Sequence, residues 1–245
     1  MDAARCHRPF SFPAVQPHLL SPARAAGGGP GAVEFRTRGG YGSRMIPARA
    51  TAVLEYWFGE QSLTPDYFQA RNKMWFMGGA EVDAQIRAEF QVDVEQAASG
   101  ALDAWSETRL GSLALILLLD QFAANIYRGD ARGYLYSDQA LPLSRSLVTT
   151  LGYRELTLAE RIFVFMPLEH AESLDDQRLS VALFTELRDE APLAVREEME
   201  GTLDYAVRHL RVVERFGRFP HRNAVLGRPT TEAEAAFLAS PEAPF

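Results

Sequence analysis

Lysine is almost absent from this chain. Lys73 is the only one, and the other 24 basic residues are arginines, which favours bidentate contacts with anions over point-charge ones. Cysteine is as scarce: Cys6 stands alone, which excludes disulfides within the chain and cysteine metal sites and fits a reducing compartment. No long apolar run exists either. The longest uncharged one, Leu113 to Leu119, is far shorter than the roughly 20 residues a bilayer requires. Alternation of period two is nowhere sustained, so no sheet is expected. Without strands there is no glycine-rich phosphate loop after a strand, and no G-x-S-x-G elbow or H-E-x-x-H pair appears. The first residues carry no basic segment leading into an apolar stretch, so no secretory signal is expected.

Basic charge is also unevenly distributed. Residues 1–44 hold six arginines against Asp2 and Glu34, about +4, whereas the whole chain is −7, leaving about −11 for the rest. An acidic body argues against general nucleic-acid binding, which needs a basic face. The first 44 residues are rich in glycine and lack a hydrophobic period, and they read as a disordered extension ahead of a start at Met45 or as a transit peptide. Residues 45–245 read as one domain, long enough to bury a sizeable core.

What is present reads as helix after helix. Val53, Leu54, Tyr56, Trp57 and Phe58 form an apolar face closed by Gly59. Thr64-Pro65 is an N-cap followed by proline at the first helical position. Val82, Ile86, Phe90 and Val94 recur every four residues up to Gly100. Leu102 and Trp105 sit in a short helix. A central helix is predicted from about Gly111 to Arg128, then one from Ser137 to Leu151. Thr157 to Glu160 is a capping box, and Pro167 is expected to kink or end the helix it opens. A further helix runs to about Leu187. Pro192 opens the longest, with Val195, Met199, Leu203, Ala206, Leu210 and Val213 as its seam. Thr231 to Glu234 caps a last short one. The expectation is an all-α fold of about nine or ten helices in antiparallel pairs.

Three polar clusters interrupt this pattern. In the first, Gln121, Asn125 and Arg128 share one helical face, and Asp120 and Tyr127 an adjacent one. A buried Asp120 needs a partner, for which Arg128 or Arg161 would serve; the cluster is either a structural network fixing register or a site. In the second, Glu169, Glu172 and Asp176 fall on one helical face beside His170. Oxygen ligands so placed suit Mg²⁺ or Ca²⁺, and a histidine among carboxylates suits a general base; a solvated acidic face is the plainer alternative. In the third, Arg218, His221, Arg222 and Asn223 lie in a turn set by Gly217 and Pro220, where arginines bind a carboxylate or phosphate, cap the preceding helix or pair with the acidic clusters.

Taken together, the motifs Tyr56-Trp57-Phe58-Gly59, Trp75-Phe76, Trp105, Leu118-Leu119-Asp120-Gln121-Phe122, Asn125-Ile126-Tyr127-Arg128-Gly129, Pro167-Leu168, His170, Glu172, Asp176-Gln177, Phe216 through Asn223 and Leu226-Gly227-Arg228 resemble the bacterial family catalogued as domain of unknown function 924. The resemblance covers roughly Val53 to Leu238. It implies a multihelical fold similar to tetratricopeptide-type stacks, an α-α superhelix, and no established activity. Two departures stand out. Ala123-Ala124 occupies the place of a usual Pro-Arg, and Glu169-His170-Ala171-Glu172 that of a usual Met-His-Ser-Glu.

The leading expectation is a cytoplasmic protein that binds a small molecule or peptide segment in an inter-helix groove. Asp120, Gln121, Asn125, Arg128, His170, Glu172, Arg218, His221, Arg222 and Asn223 would form the binding set, with no metal, cofactor, nucleic acid or membrane. One alternative is an acid–base or metal-assisted hydrolase with His170 as base and Glu172, Asp176 or Asp120 beside it. The other is an interaction scaffold exposing Trp57, Phe58, Trp75 and Phe76.

Overall fold

The computed structural model describes residues 46–241 together with Ala243. The segment 1–44 read above as an extension, Cys6 within it, and the start at Met45 lie outside those residues. The described residues hold nine α-helices and no strands, the all-α class expected. They are α1 (Ala48–Phe58), α2 (Pro65–Met77), α3 (Gly79–Ala98), α4 (Arg109–Ile126), α5 (Ala131–Thr149), α6 (Leu158–His170), α7 (Leu174–Glu190), α8 (Arg196–Phe216) and α9 (Glu232–Leu238). Links of a few residues fold α6 back against α7, and α7 against α8.

Local chemistry sets most helix starts. Thr64 accepts from the Tyr67 amide with Pro65 at the first helical position. Thr157 with Glu160, and Thr231 with Glu234, form complete capping boxes. Gly217 closes α8 at φ 70°, the left-handed conformation that costs glycine least. The helix predicted from Ser137 instead begins at Ala131, where Asp130 caps it. Pro142 lies inside this helix, and Pro167 inside α6, which runs one further turn to His170.

Two helices are buried on every side and form the centre. Each residue of α4 from Leu110 to Ala123 is buried, and each of α6 from Leu158 to Glu169. The two pack on each other, with α1, α3 and α5 against α4, and α5, α7 and α8 against α6. A helix apolar all round is stable only when enclosed in this way. By length and composition α4 would pass for a membrane span, but 83% of it is buried inside the protein. Its first turn is wedged against the 3₁₀ turn at Asp103–Glu107. There Gly111 is required, because a Cβ would sit 2.0 Å from the Trp105 carbonyl oxygen.

The aromatic pairs are core. Trp57, Phe58 and Trp75 are buried around Phe163, and the Trp75 indole donates to the Trp57 carbonyl at 3.0 Å. Only Phe76 of that set is exposed. A smaller apolar cluster of Val212, Val213, Phe219 and Phe237 holds the segment after α8 and helix α9 against the end of α8.

Candidate functional site

Midway along α4 the winding widens: Leu117–Phe122 forms a π-helical turn, a local distortion that recurs at functional sites. Asp120 lies in this turn, and its side chain has no solvent exposure. Its partners differ from those predicted. Oδ1 pairs with Nδ1 of His170 at 2.7 Å and accepts from the Ser137 hydroxyl, and Oδ2 accepts from Gln121 Nε2 at 2.5 Å. Arg128 instead makes a bidentate pair with Asp83. Arg161 is spent on Glu190 and on the carbonyls of Tyr153, Arg154 and Leu156.

His170 is the last residue of α6, at the negative end of the helix dipole. Burial opposes charge on both members of the pair, but their mutual attraction outweighs it. The imidazole is held above its usual range, with Glu169 adding to the Asp120 effect and Arg222 opposing it. The Asp120 carboxyl is held below its usual range by the His170 charge and by hydrogen bonds from His170, Ser137 and Gln121. With Nδ1 engaged, Nε2 is the free nitrogen of His170, whose side chain keeps 23% of its surface exposed.

A second carboxylate–imidazole pair faces the first. Glu169, also buried, lies 3.0 Å from Nδ1 of His209 on α8, and the two imidazole rings are 6.0 Å apart. His209 Nδ1 is also 2.9 Å from the Tyr205 carbonyl oxygen one turn back. Phe219 meets the His209 ring edge-on at 5.5 Å.

The turn after α8 completes the cluster. His221 lies 5.7 Å from the Phe219 ring and 6.3 Å from Tyr134. Burial, reinforced by the Arg222 charge, pushes its pKa down to about 4, so it is neutral at pH 7. Arg222 is 7% exposed, with its guanidinium over Phe219 at 4.3 Å and Tyr134 at 5.0 Å. It has no ion pair among the described residues, and its Nε is buried without a hydrogen-bond partner. Burial lowers its pKa, against the pull of Glu172, Tyr134, Asp138 and Asp120.

Five of the predicted binding residues thus meet: Asp120, Gln121, His170, His221 and Arg222. The others hold the scaffold. Glu172 accepts from the Phe219 amide at 2.8 Å and is clamped by both terminal nitrogens of Arg228, which fixes the turn carrying His221 and Arg222. Arg218 makes a bidentate pair with Glu234, and Asn223 bonds Glu234 and Arg228. Asn125 donates to the Gln121 carbonyl and contacts Arg128.

The three-carboxylate face does not form. The helix ends at His170, so Glu169, Glu172 and Asp176 do not share one helix, and Asp176 pairs with Arg145 at the start of α7. Nor is this a solvated acidic face, because Glu169 and Asp176 are both buried. Sequence reasoning missed Ser137 and His209. A signal for His209 existed: it falls three residues after Ala206 and four before Val213, on the otherwise apolar stripe of α8. A separate shallow groove of about 530 Å³ opens between Ala97–Gly100 and the Gln139–Leu143 stretch, and none of the cluster residues line it.

The model of the family described as "Bacterial protein of unknown function (DUF924)" matches residues 53–242. Among solved structures, the chain is similar to the protein of unknown function ATU0120 from Agrobacterium tumefaciens. The two share 32% sequence identity, with 78% of this chain and 97% of that chain covered at a TM-score of 0.65. No curated protein matches.

Proposed function

The chain belongs to the DUF924 family, and on that premise we propose, from its own geometry, that it binds a small molecule bearing a carboxylate or phosphate group. The observation that carries this reading is Arg222. A buried guanidinium is normally matched by an acid, because an unpaired buried charge is costly. Here the acid that attracts it most, Glu172, is already clamped by Arg228. Arg222 is held in place by two ring faces rather than by a counter-ion, which leaves its donors for an anion from outside. Guanidinium forks suit the planar or tripodal oxygens of carboxylate and phosphate. Tyr134, His221 and the exposed edge of His170 stand beside it. These groups offer a stacking face and polar contacts for the remainder of a small ligand.

The acid–base reading retains one supporting observation. Asp120 fixes His170 through Nδ1, the arrangement that orients a catalytic imidazole and leaves Nε2 for a substrate proton. Glu172 and Asp176 are committed to Arg228 and Arg145 and do not serve as its partners. The scaffold reading loses its aromatic patch, since Trp57, Phe58 and Trp75 are core.

The test is a thermal-shift screen of the full chain against inorganic phosphate, citrate, nucleoside monophosphates and dicarboxylates. Wild type is expected to be stabilised by at least one of these, and Arg222→Met by none. A ligand that stabilises both proteins equally, or no stabilising anion at all, overturns the reading.

A further inference from the structure

We propose that Glu169, His170 and His209 form a binding site for a transition-metal dication of the zinc class, with Asp120 as the outer carboxylate that orients His170. One ligand atom from each of the three residues lies within 4.8 Å of the others. Glu169 and His170 end α6, and His209 reaches them from α8, which packs against it. Ligands held at about 2.0–2.1 Å around a tetrahedral ion sit about 3.4 Å apart.

Three further observations favour a metal over a plain hydrogen-bond network. First, Nδ1 of His170 is occupied by Asp120 at 2.7 Å, so Nε2 is its ligand atom. A carboxylate on the far nitrogen of a metal-binding imidazole is the usual outer-shell partner, fixing tautomer and ring direction. Asp120 itself is held by Ser137 and Gln121, so this orientation is built and not incidental. Secondly, charge must balance. Asp120 and Glu169 are two buried carboxylates facing two imidazoles. A dication between the two rings, which stand 6.0 Å apart, would meet both carboxylates with opposite charge. Thirdly, the ring of His209 is braced by Phe219 and that of His170 by Asp120, the preorganisation a metal site needs.

The donor set selects the ion. Two nitrogens and one carboxylate suit Zn²⁺ and its first-row neighbours, not Ca²⁺ or Mg²⁺, which prefer six or more oxygens or an octahedral, largely hydrated shell. Three protein ligands leave a fourth position for water or another ligand, as in sites where a metal acts on a bound molecule. Glu169 and His170 belong to the acidic cluster that the sequence singles out, whereas His209, 39 residues beyond His170, carries no sign in the sequence of joining them.

The site stands on the three donors and does not depend on anion binding by Arg222, and the test keeps the two apart. Full-length protein freed of metal by chelator is titrated with ZnCl₂ by calorimetry, in a buffer without phosphate or carboxylate. One equivalent is expected to bind. Affinity should fall at least about 100-fold in His209→Ala and in Glu169→Gln, and about 10–100-fold in Asp120→Asn, which keeps all three ligands. His221→Gln and Arg222→Met should bind as wild type does. X-ray absorption of zinc-loaded wild type, which needs no variant to fold, should count two imidazole ligands and no sulfur. A sulfur ligand would assign the ion to Cys6 and overturn the proposal. So would the absence of binding, or equal affinity in wild type and a folded His209→Ala.

Discussion

Replacing Arg222 with methionine should make this protein more stable, the reverse of what removing a buried side chain usually does. Arg222 is 7% exposed, and its guanidinium has no counter-ion among the described residues. Burying an ion without a partner costs several kcal/mol even after relaxation. Two offsets are present. The rings of Phe219 and Tyr134 lie 4.3 and 5.0 Å from the guanidinium carbon, and a desolvated cation–π contact contributes about 1–2 kcal/mol. Glu172 adds a longer-range attraction that Arg228 largely neutralises. Methionine keeps the length of the apolar stem and its packing against both rings while removing the charge. The net expectation is a gain of about 1–3 kcal/mol, equivalent to about 2–4 °C in Tm per kcal/mol for a domain of this size. Urea unfolding in a buffer free of phosphate and carboxylate measures it, with Trp57, Trp75 and Trp105, all buried, as fluorescence reporters. A midpoint lowered by about 1 kcal/mol or more would show that the guanidinium is paired in solution, and the reasoning from its isolation would fail. Adding a cognate anion at about 100 times its Kd should lift wild type by about 2.7 kcal/mol and leave the variant unmoved, closing or reversing the gap between the two proteins.

Asp120→Ala strips His170, Ser137 and Gln121 of one shared acceptor and should cost about 3 kcal/mol or more; an unchanged urea midpoint would contradict this. Gly111→Ala drives a methyl group to 2.0 Å from the Trp105 carbonyl oxygen. It should cost about 3 kcal/mol or more, because the obstacle is backbone and cannot swing aside, and a wild-type Tm would refute the wedge. Glu234 gives a pH signature. Hydrogen bonds from Arg218, then from the Thr231 amide, hold its pKa at about 2 against an ordinary 4.5. The folded state therefore gains stability from ionised Glu234 above the ordinary value and loses it as pH falls toward 2. The Tm gap between wild type and Glu234→Gln should accordingly narrow over that interval, and a gap independent of pH would remove Glu234 from the balance.

Much of the fold is legible because helix ends are local chemistry. Thr64-Pro65, Thr157 with Glu160, and Thr231 with Glu234 announce themselves within four residues. The Leu113–Leu119 core is legible because a run apolar on all sides is stable inside a fold only when other elements enclose it. The start of α5 was misplaced because Arg132, Tyr134 and Tyr136 hide the period that Asp130 had already opened. The site is harder. Asp120, His170, His221 and Arg222 stand out as polar residues in apolar company, but who pairs with whom is decided by helices 40 or more residues apart. Asp120 took a histidine rather than an arginine because the end of α6 faces it. Glu169, Glu172 and Asp176 shared a face only on a helix continued past Ala171, where the chain turns. His209 looked like part of a packing seam, and only Glu169 opposite it reveals another role.

The wide turn at Leu117–Phe122 bears on how this sequence tolerates insertion and deletion. A π-turn is one surplus residue absorbed into a helix, so the two halves of α4 are out of phase by about a residue, roughly 100° of rotation. Wedged by Gly111 at one end and tied at the other through Tyr127 to Glu95, the helix cannot unwind to redistribute that offset. Deleting a single apolar residue between 117 and 119 would restore ordinary winding and leave a helix of nearly the same length and hydrophobicity. Asp120 would then swing away from His170 and Ser137, or Tyr127 away from Glu95. The surplus residue behaves as a vernier, setting the core half and the polar half of one helix to two different bearings.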